Sequence, residues 1–345
     1  MRPKLSVFTD ACRRKETEYT PVWFMRQAGR YLPSYRHLKG TRNVLDIAKD
    51  PALASEAAVA PVRELGVDAG IIFADIMLPL EGMGVKFRIE ESVGPVVTSP
   101  IRSLEDISEL KAFDSERDSS DVFDGIEETV RKLDDTPLIG FSGAPFTLAG
   151  YIVEGRPSRE LEKTKAMMYG DPDAWKALMT KLTSMVKSYL DGQIGHGVDA
   201  VQLFDSWVGC LSAEDYSRYV LPYTREIIES VGGRVPTIHF CADSGSLIEK
   251  FRSTKADVLS VDWRTDIGDV WMRCEEKVAV QGNLDPVVPL VGGDVMKRGT
   301  GEVLRRAQNH NGHIFSLGHG VLKETPPENL RRIVQIVHEK TRLRA

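Results

Sequence analysis

Cysteine is scarce and scattered: Cys12, Cys210, Cys241 and Cys274 are the four in the chain, and no two of them form a CxxC pair. That excludes a disulfide scaffold and fits reduced thiols in a reducing compartment. No apolar stretch approaches the roughly 20 residues that span a bilayer. The first residues, MRPKLSVFTDACRRKE, have no apolar signal core. There is no low-complexity linker, no short-period repeat, no GxGxxG after an apolar run, and no RNP, KH or zinc-finger pattern. The expected setting is cytoplasmic, with neither a membrane nor a nucleic-acid partner.

One further absence is local. From Tyr19 to Leu45 there is no Asp or Glu, yet the stretch holds Arg26, Arg30, Arg36, Lys39 and Arg42. The chain as a whole carries -5, so these five cations leave -10 for the remainder. A basic island in an acidic protein points to a local binding task, not to general attraction for polyanions. Within it, PVWFMRQAGRYLPSYR (Pro21–Arg36) interleaves arginines with Trp23, Phe24, Tyr31 and Tyr35. Guanidinium groups grip carboxylates or phosphates through paired hydrogen bonds. The segment therefore suits a polyanion that also has flat or apolar surface.

At 345 residues, 42% hydrophobic and 28% charged, the composition is that of a globular protein. Short, continuously apolar runs recur along it: 21–27, 69–75, 137–143, 200–207, 236–242, 258–263, 278–283 and 313–320. Such runs read as strands buried on both faces. Helical patterns lie between them, among them Asp173–Gln193, Ala213–Val231 and Pro327–Lys340. Eight buried strands alternating with helices predict an α/β fold. The expectation is a single (β/α)8 TIM barrel over residues 1–345, with an N-terminal extension and a small hairpin insertion after strand two, at Lys86–Pro100.

In such a barrel the C-terminal strand ends face the active site. The polar residues there are Arg26, Gln27, Asp75, Asp205, Ser206, His239, Asp262, Gln281, Asn283 and His319. Asp205, Asp262 and Asn283 also read naturally as scaffold groups that cap the next element. Asp75 differs, because IIFADIMLPLEGMG surrounds it with apolar side chains. A carboxylate in such a setting is costly unless it meets donors or a cation. His239 and Cys241 form an HxC pair on one strand face, which with Cys274 or His319 would offer zinc ligands. A buried thiol beside a hydrogen-bonded histidine is the favoured reading of that pair.

PVWFMRQAGRYLPSYR and GFSGAPFTLAGYIVEG resemble the two signature segments of the uroporphyrinogen decarboxylase family. QLFDSW, LSVDW, QGNLDP and LGHG follow in the same order, so the similarity runs from about Thr20 to His338. The resemblance implies a homodimeric barrel that needs no metal or organic cofactor. It implies conversion of uroporphyrinogen III to coproporphyrinogen III, a step of tetrapyrrole and heme biosynthesis in which four acetates lose carbon dioxide. It also implies site residues: Asp75, Arg26 and Tyr151 as catalytic, with Gln27, Arg30, Lys39, Ser206 and His319 completing the substrate-binding set. Lys39 departs from the family, where relatives often carry Arg. Two other readings stand beside this one: a zinc-dependent thiol methyl- or alkyltransferase of the same barrel type, and a non-catalytic tetrapyrrole carrier.

Overall fold

The computed structural model describes residues 6–342 apart from 91, 92, 244, 276 and 309. Among the described residues there are nine strands: β1 Gly70–Ile71, β2 Phe87–Glu90, β3 Gly94–Val97, β4 Leu138–Gly143, β5 Ala200–Asp205, β6 Thr237–Cys241, β7 Val258–Val261, β8 Ala279–Leu284 and β9 His313–Leu317. Seven of them form one sheet in the order β1-β4-β5-β6-β7-β8-β9, every neighbour parallel. From β4 to β9 every strand residue is buried. Burial on both faces requires helices on the outside and a filled interior, the pattern of a barrel-like α/β fold.

The expected insertion is a separate antiparallel hairpin, β2 with β3, whose connection at 91 and 92 lies outside the described residues. The three helical patterns also appear. Pro172–Gly195 starts behind Asp171, whose side chain accepts from Ala174 N–H. Pro327–Thr341 closes the chain. The stretch from Ala213 to Val231 is helical but includes a wider turn at Tyr216–Val220, just before Leu221–Val231. The missing N–H of Pro222 falls at that transition.

The first apolar run is where the structure differs from the expected eight ladder strands. Residues 21–24 make one isolated parallel bridge, Val22 with Phe315 of β9. Trp23 N–H donates to Phe315 O at 3.3 Å, and Phe315 N–H to Pro21 O at 2.8 Å. On the other side, Val22 N–H donates to Asp68 Oδ2 at 2.7 Å, and Asp68 N–H returns to Val22 O at 2.8 Å. No longer ladder forms because Pro21 has no N–H and the chain turns at Met25–Arg26, with Arg26 at φ +61°.

Inside the sheet a polar layer ties the segment down. Trp23 Nε1 donates to Gln281 Oε1 at 2.7 Å, and Gln281 Nε2 donates to Gln202 Oε1 at 3.1 Å and Ser260 Oγ at 2.8 Å. Trp23, Gln202 and Gln281 are all buried. Satisfied bonds in so dry an environment fix position strongly, since a lost partner leaves an orphaned polar group.

Candidate active site

The turn that follows Trp23 is held at every corner. Gln27 N–H donates to Phe24 O at 2.9 Å, Phe24 N–H to Gln27 Oε1 at 3.2 Å, and Gln27 Nε2 to Ala69 O at 3.1 Å. Tyr31 Oη donates to Gln27 O at 2.7 Å. Gln27 is buried and its amide is spent on backbone, so it positions the turn. Gly29 allows the close pass beneath: a Cβ there would sit 3.1 Å from Arg26 O and 3.2 Å from the Tyr31 ring.

The basic island divides into two kinds of cation. Arg36 Nη1 donates to the carbonyls of Arg30 and Tyr31 at 2.9 and 3.0 Å, and Arg42 Nη1 to Leu38 O at 3.0 Å. These two complete carbonyls around the helix Pro33–Lys39. Arg26 and Arg30 are exposed, and among the described residues Arg26 meets no carboxylate within ion-pair distance. Gly320 lets the Arg26 side chain lie against it, where a Cβ would overlap Arg26 Cδ and approach Cγ at 2.8 Å and Nε at 3.1 Å. Lys39 ends its helix, and no contact among the described residues links it to Arg26 or Asp75.

Asp75 is half-buried beyond the end of β1, and its Oδ1 accepts Met77 N–H at 2.9 Å. Burial pushes its carboxyl above the ordinary range, against the pull of that N–H and of the Arg26 charge. Tyr151 lies on the helix Pro145–Glu154, which starts directly after the Gly143–Ala144 turn of β4. Burial raises its hydroxyl, with Trp207 pulling down, Asp75 pushing up and Arg26 pulling down. Burial and then Arg26 push His319 down to about 4, so its imidazole is neutral near pH 7. Arg26, Asp75, Tyr151 and His319 thus share one electrostatic neighbourhood.

Ser206 is half-buried at the end of β5, next to Trp207, whose ring meets Tyr151 edge-on at 5.8 Å. Sequence reasoning missed the link that holds these together. Buried Thr147, one helical turn before Tyr151, donates its hydroxyl to Asp205 Oδ1 at 3.1 Å and accepts Trp207 N–H at 3.4 Å. Its only sequence signal is a hydroxyl inside the otherwise apolar GAPFTLAG.

The HxC pair is close-set. His239 Nε2 lies 3.4 Å from Asp205 Oδ2 and 3.5 Å from Cys241 Sγ. Ligand atoms of Asp205, His239 and Cys241 fall within 4.8 Å of one another, and neither Cys274 nor His319 belongs to this group. The third member is therefore Asp205, not the two residues expected from the spacing. Burial first, then the Asp205 and Asp262 carboxylates, push the Cys241 thiol well above its ordinary value. A closed site with a protonated thiol and a carboxylate already bonded to Thr147 fits a scaffold network. Elsewhere, a surface cavity of about 730 Å³ is lined by Asp266, Met272 and Arg306 among others, and Arg306 is already paired with Asp266 and with Glu302.

A family model described as uroporphyrinogen decarboxylase (URO-D) matches residues 4–340. A protein named uroporphyrinogen decarboxylase from Carboxydothermus hydrogenoformans is 45% identical over 338 residues, covering 97% of each chain. One of the same name from Sorangium cellulosum is 46% identical over 333 residues, covering 96% of this chain and 95% of that one. Among solved structures, a methyltransferase from Methanosarcina mazei superposes with a TM-score of 0.79 at 17% identity, covering 98% of this chain and 99% of the other. That last likeness speaks to fold.

Proposed function

The chain belongs to the uroporphyrinogen decarboxylase family, and from that premise and the cleft geometry we propose that it is a carboxy-lyase converting uroporphyrinogen III to coproporphyrinogen III. The observation that carries the reading is an exposed Arg26, seated against Gly320 and, among the described residues, without a carboxylate at ion-pair distance, whose charge reaches the half-buried Asp75. A polycarboxylate macrocycle needs cations for its rim and an acceptor for its pyrrole N–H groups.

An acetate on a pyrrole does not release carbon dioxide readily, because the carbanion has no sink. Protonation of the ring at an α-carbon creates a cationic sink. Carbon dioxide then leaves, protonation of the exocyclic methylene carbon gives the methyl, and loss of the α-carbon proton restores the pyrrole, so one proton is consumed overall. Asp75, with Oδ1 fixed by Met77 N–H, accepts from the pyrrole N–H groups and stabilises the developing positive charge. Arg26 and Arg30 hold carboxylates. Tyr151, a protonated phenol, and Ser206 orient the reacting acetate, and neutral His319 donates to a second carboxylate. Lys39 serves as a more distant cation.

In the same reading residues 21–24 take the eighth place of a closed (β/α)8 barrel between β9 and β1, and the chain is one domain. The protein works as a cytoplasmic homodimer without metal or organic cofactor. Among the described residues no helix is long and apolar enough to cross a membrane. The test is anaerobic incubation of purified protein and excess chelator with uroporphyrinogen III, followed by chromatography. Coproporphyrinogen with hepta- to pentacarboxylate intermediates supports the reading. Absence of all decarboxylated products, with tight porphyrinogen binding, makes the protein a carrier instead.

A further inference from the structure

The turn after β7 carries a guanidinium that the sequence reading did not use. Arg264 Nη1 donates to Asp262 Oδ2 at 2.6 Å and lies 3.1 Å from Asp243 Oδ1. Both contacts fall on the same nitrogen. Nε and Nη2 have no protein acceptor among the described residues, and a guanidinium uses such an edge to take a carboxylate through two parallel bonds. The group is about half exposed and stacks on Trp263, its Cζ 4.1 Å from the ring centroid.

The turn beneath it is firmly fixed. Asp262 is buried, accepts Asp243 N–H at 2.9 Å and Arg264 N–H at 3.3 Å, and gives the guanidinium a fixed counter-charge. Asn283 Nδ2 reaches across from β8 to the carbonyls of Asp262 and Thr265, at 2.9 and 2.6 Å. Gly318 packs against the Asp262–Trp263 peptide, where a Cβ would lie 3.0 Å from Asp262 C. The same turn runs on through His319 to Gly320, which lies against the Arg26 side chain, so residues 318–320 pack against Arg26 on one side and the Asp262–Trp263 peptide that carries Arg264 on the other.

We propose that Arg264, backed by the face of Trp263, is a carboxylate clamp on the cleft rim that holds a propionate of the substrate. This rests on the decarboxylase reading above. The acetate that reacts has to reach Asp75. A clamp that serves all four rounds must hold a group still present in the last, and only the propionates are. The Asp262 anchor orients the guanidinium before substrate arrives, so little side-chain freedom is lost on binding.

The test compares Arg264→Gln and Arg264→Lys with the wild type on uroporphyrinogen III and on the pentacarboxylate intermediate. Binding of the air-stable octacarboxylic porphyrin is followed separately by tryptophan fluorescence. Arg264→Gln removes the charge, whereas Arg264→Lys keeps a counter-charge for Asp262 and removes the fork, which protects against simple misfolding. Expected are a KM increase of about tenfold for Gln and several-fold for Lys, with kcat within about twofold, from the loss of one charge-assisted pair. The increase should be equal on both substrates. An unchanged KM in folded Arg264→Lys, or a defect that vanishes on the pentacarboxylate, overturns the propionate clamp. If the wild type binds porphyrin but turns nothing over, the decarboxylase reading fails. Weaker porphyrin binding by both variants then still supports the carboxylate subsite, and unchanged binding overturns it.

Discussion

Met77 N–H donates to Asp75 Oδ1 at 2.9 Å, which commits one carboxylate oxygen to the protein and leaves the other, among the described residues, to the cleft. The bond fixes the direction of the free oxygen without neutralising it. Burial nevertheless raises the carboxyl above its usual range, so the charged form carries a desolvation cost that a cationic reaction centre would relieve.

Replacing Asp75→Asn keeps shape and removes charge. Decarboxylation is expected to fall by roughly 10²- to 10³-fold or more in kcat, the scale of a lost electrostatic stabiliser. Porphyrin binding should change little. Product chromatography alongside fluorescence titration separates the two, and turnover surviving in the Asn variant would rule out the electrostatic role.

Gly320→Ala tests the seat of Arg26. The new methyl overlaps the Arg26 side chain, which is long and can swing away, so the fold should persist while the guanidinium moves. A KM increase of about tenfold is expected, with melting temperature within a few degrees. A variant with wild-type KM would show that the position of Arg26 against Gly320 is immaterial to binding.

Thr147→Val leaves a buried Asp205 carboxylate without its hydroxyl donor. A stability loss of about 1–3 kcal/mol follows from the unsatisfied group. If the Thr147 link also positions Tyr151 and Ser206, kcat drops several-fold beyond any loss of folded protein, and Thr147→Ser restores it. A stability loss with unaltered kcat per folded molecule would make Thr147 purely structural.

His313 gives an acid-stability prediction. It is buried with Nε2 3.2 Å from Gly282 O, and burial depresses its pKa from 6.5 to about 4. Between those values the unfolded chain binds a proton that the folded chain refuses. Stability is therefore complete above about pH 6.5 and declines as pH falls toward 4, by at most about 3 kcal/mol from this group. Denaturant titrations at pH 7, 6 and 5 should show the slope, and His313→Gln should flatten it. An unaltered slope in that variant would assign the acid sensitivity to other groups.

The sequence disclosed much of this architecture because buried parallel strands leave continuous apolar runs, as at 200–205 and 279–284, where every residue is buried. The run at 21–27 has the same composition but only one bridge, since ladder length depends on a partner nearly three hundred residues away. The apolar surroundings of Asp75 in the sequence correspond to a carboxylate half-buried beyond β1 with one oxygen bonded to Met77 N–H. The division of the basic island was not legible: Arg36 and Arg42 are indistinguishable from Arg26 in the sequence, and only their reach to local carbonyls separates them. Thr147 and Arg264 were missed because their contacts, to Asp205 on β5 for the one and to Asp262 and Asp243 in the turns after β7 and β6 for the other, depend on how the chain folds around them.

The bridge between Val22 and Phe315 also sets an order of events in synthesis. The turn that presents Arg26 is made early, but its partners at Phe315 and Gln281, and the Thr341 hydroxyl that accepts Thr20 N–H at 2.9 Å, follow only much later in the chain. The segment can be held early on one side, by Asp68 and Ala69, but its other side waits for β8 and β9. A truncated chain ending before β9 would keep much of its sheet and lack the organised arginine turn, so that turn takes its final shape only once β9 has been made.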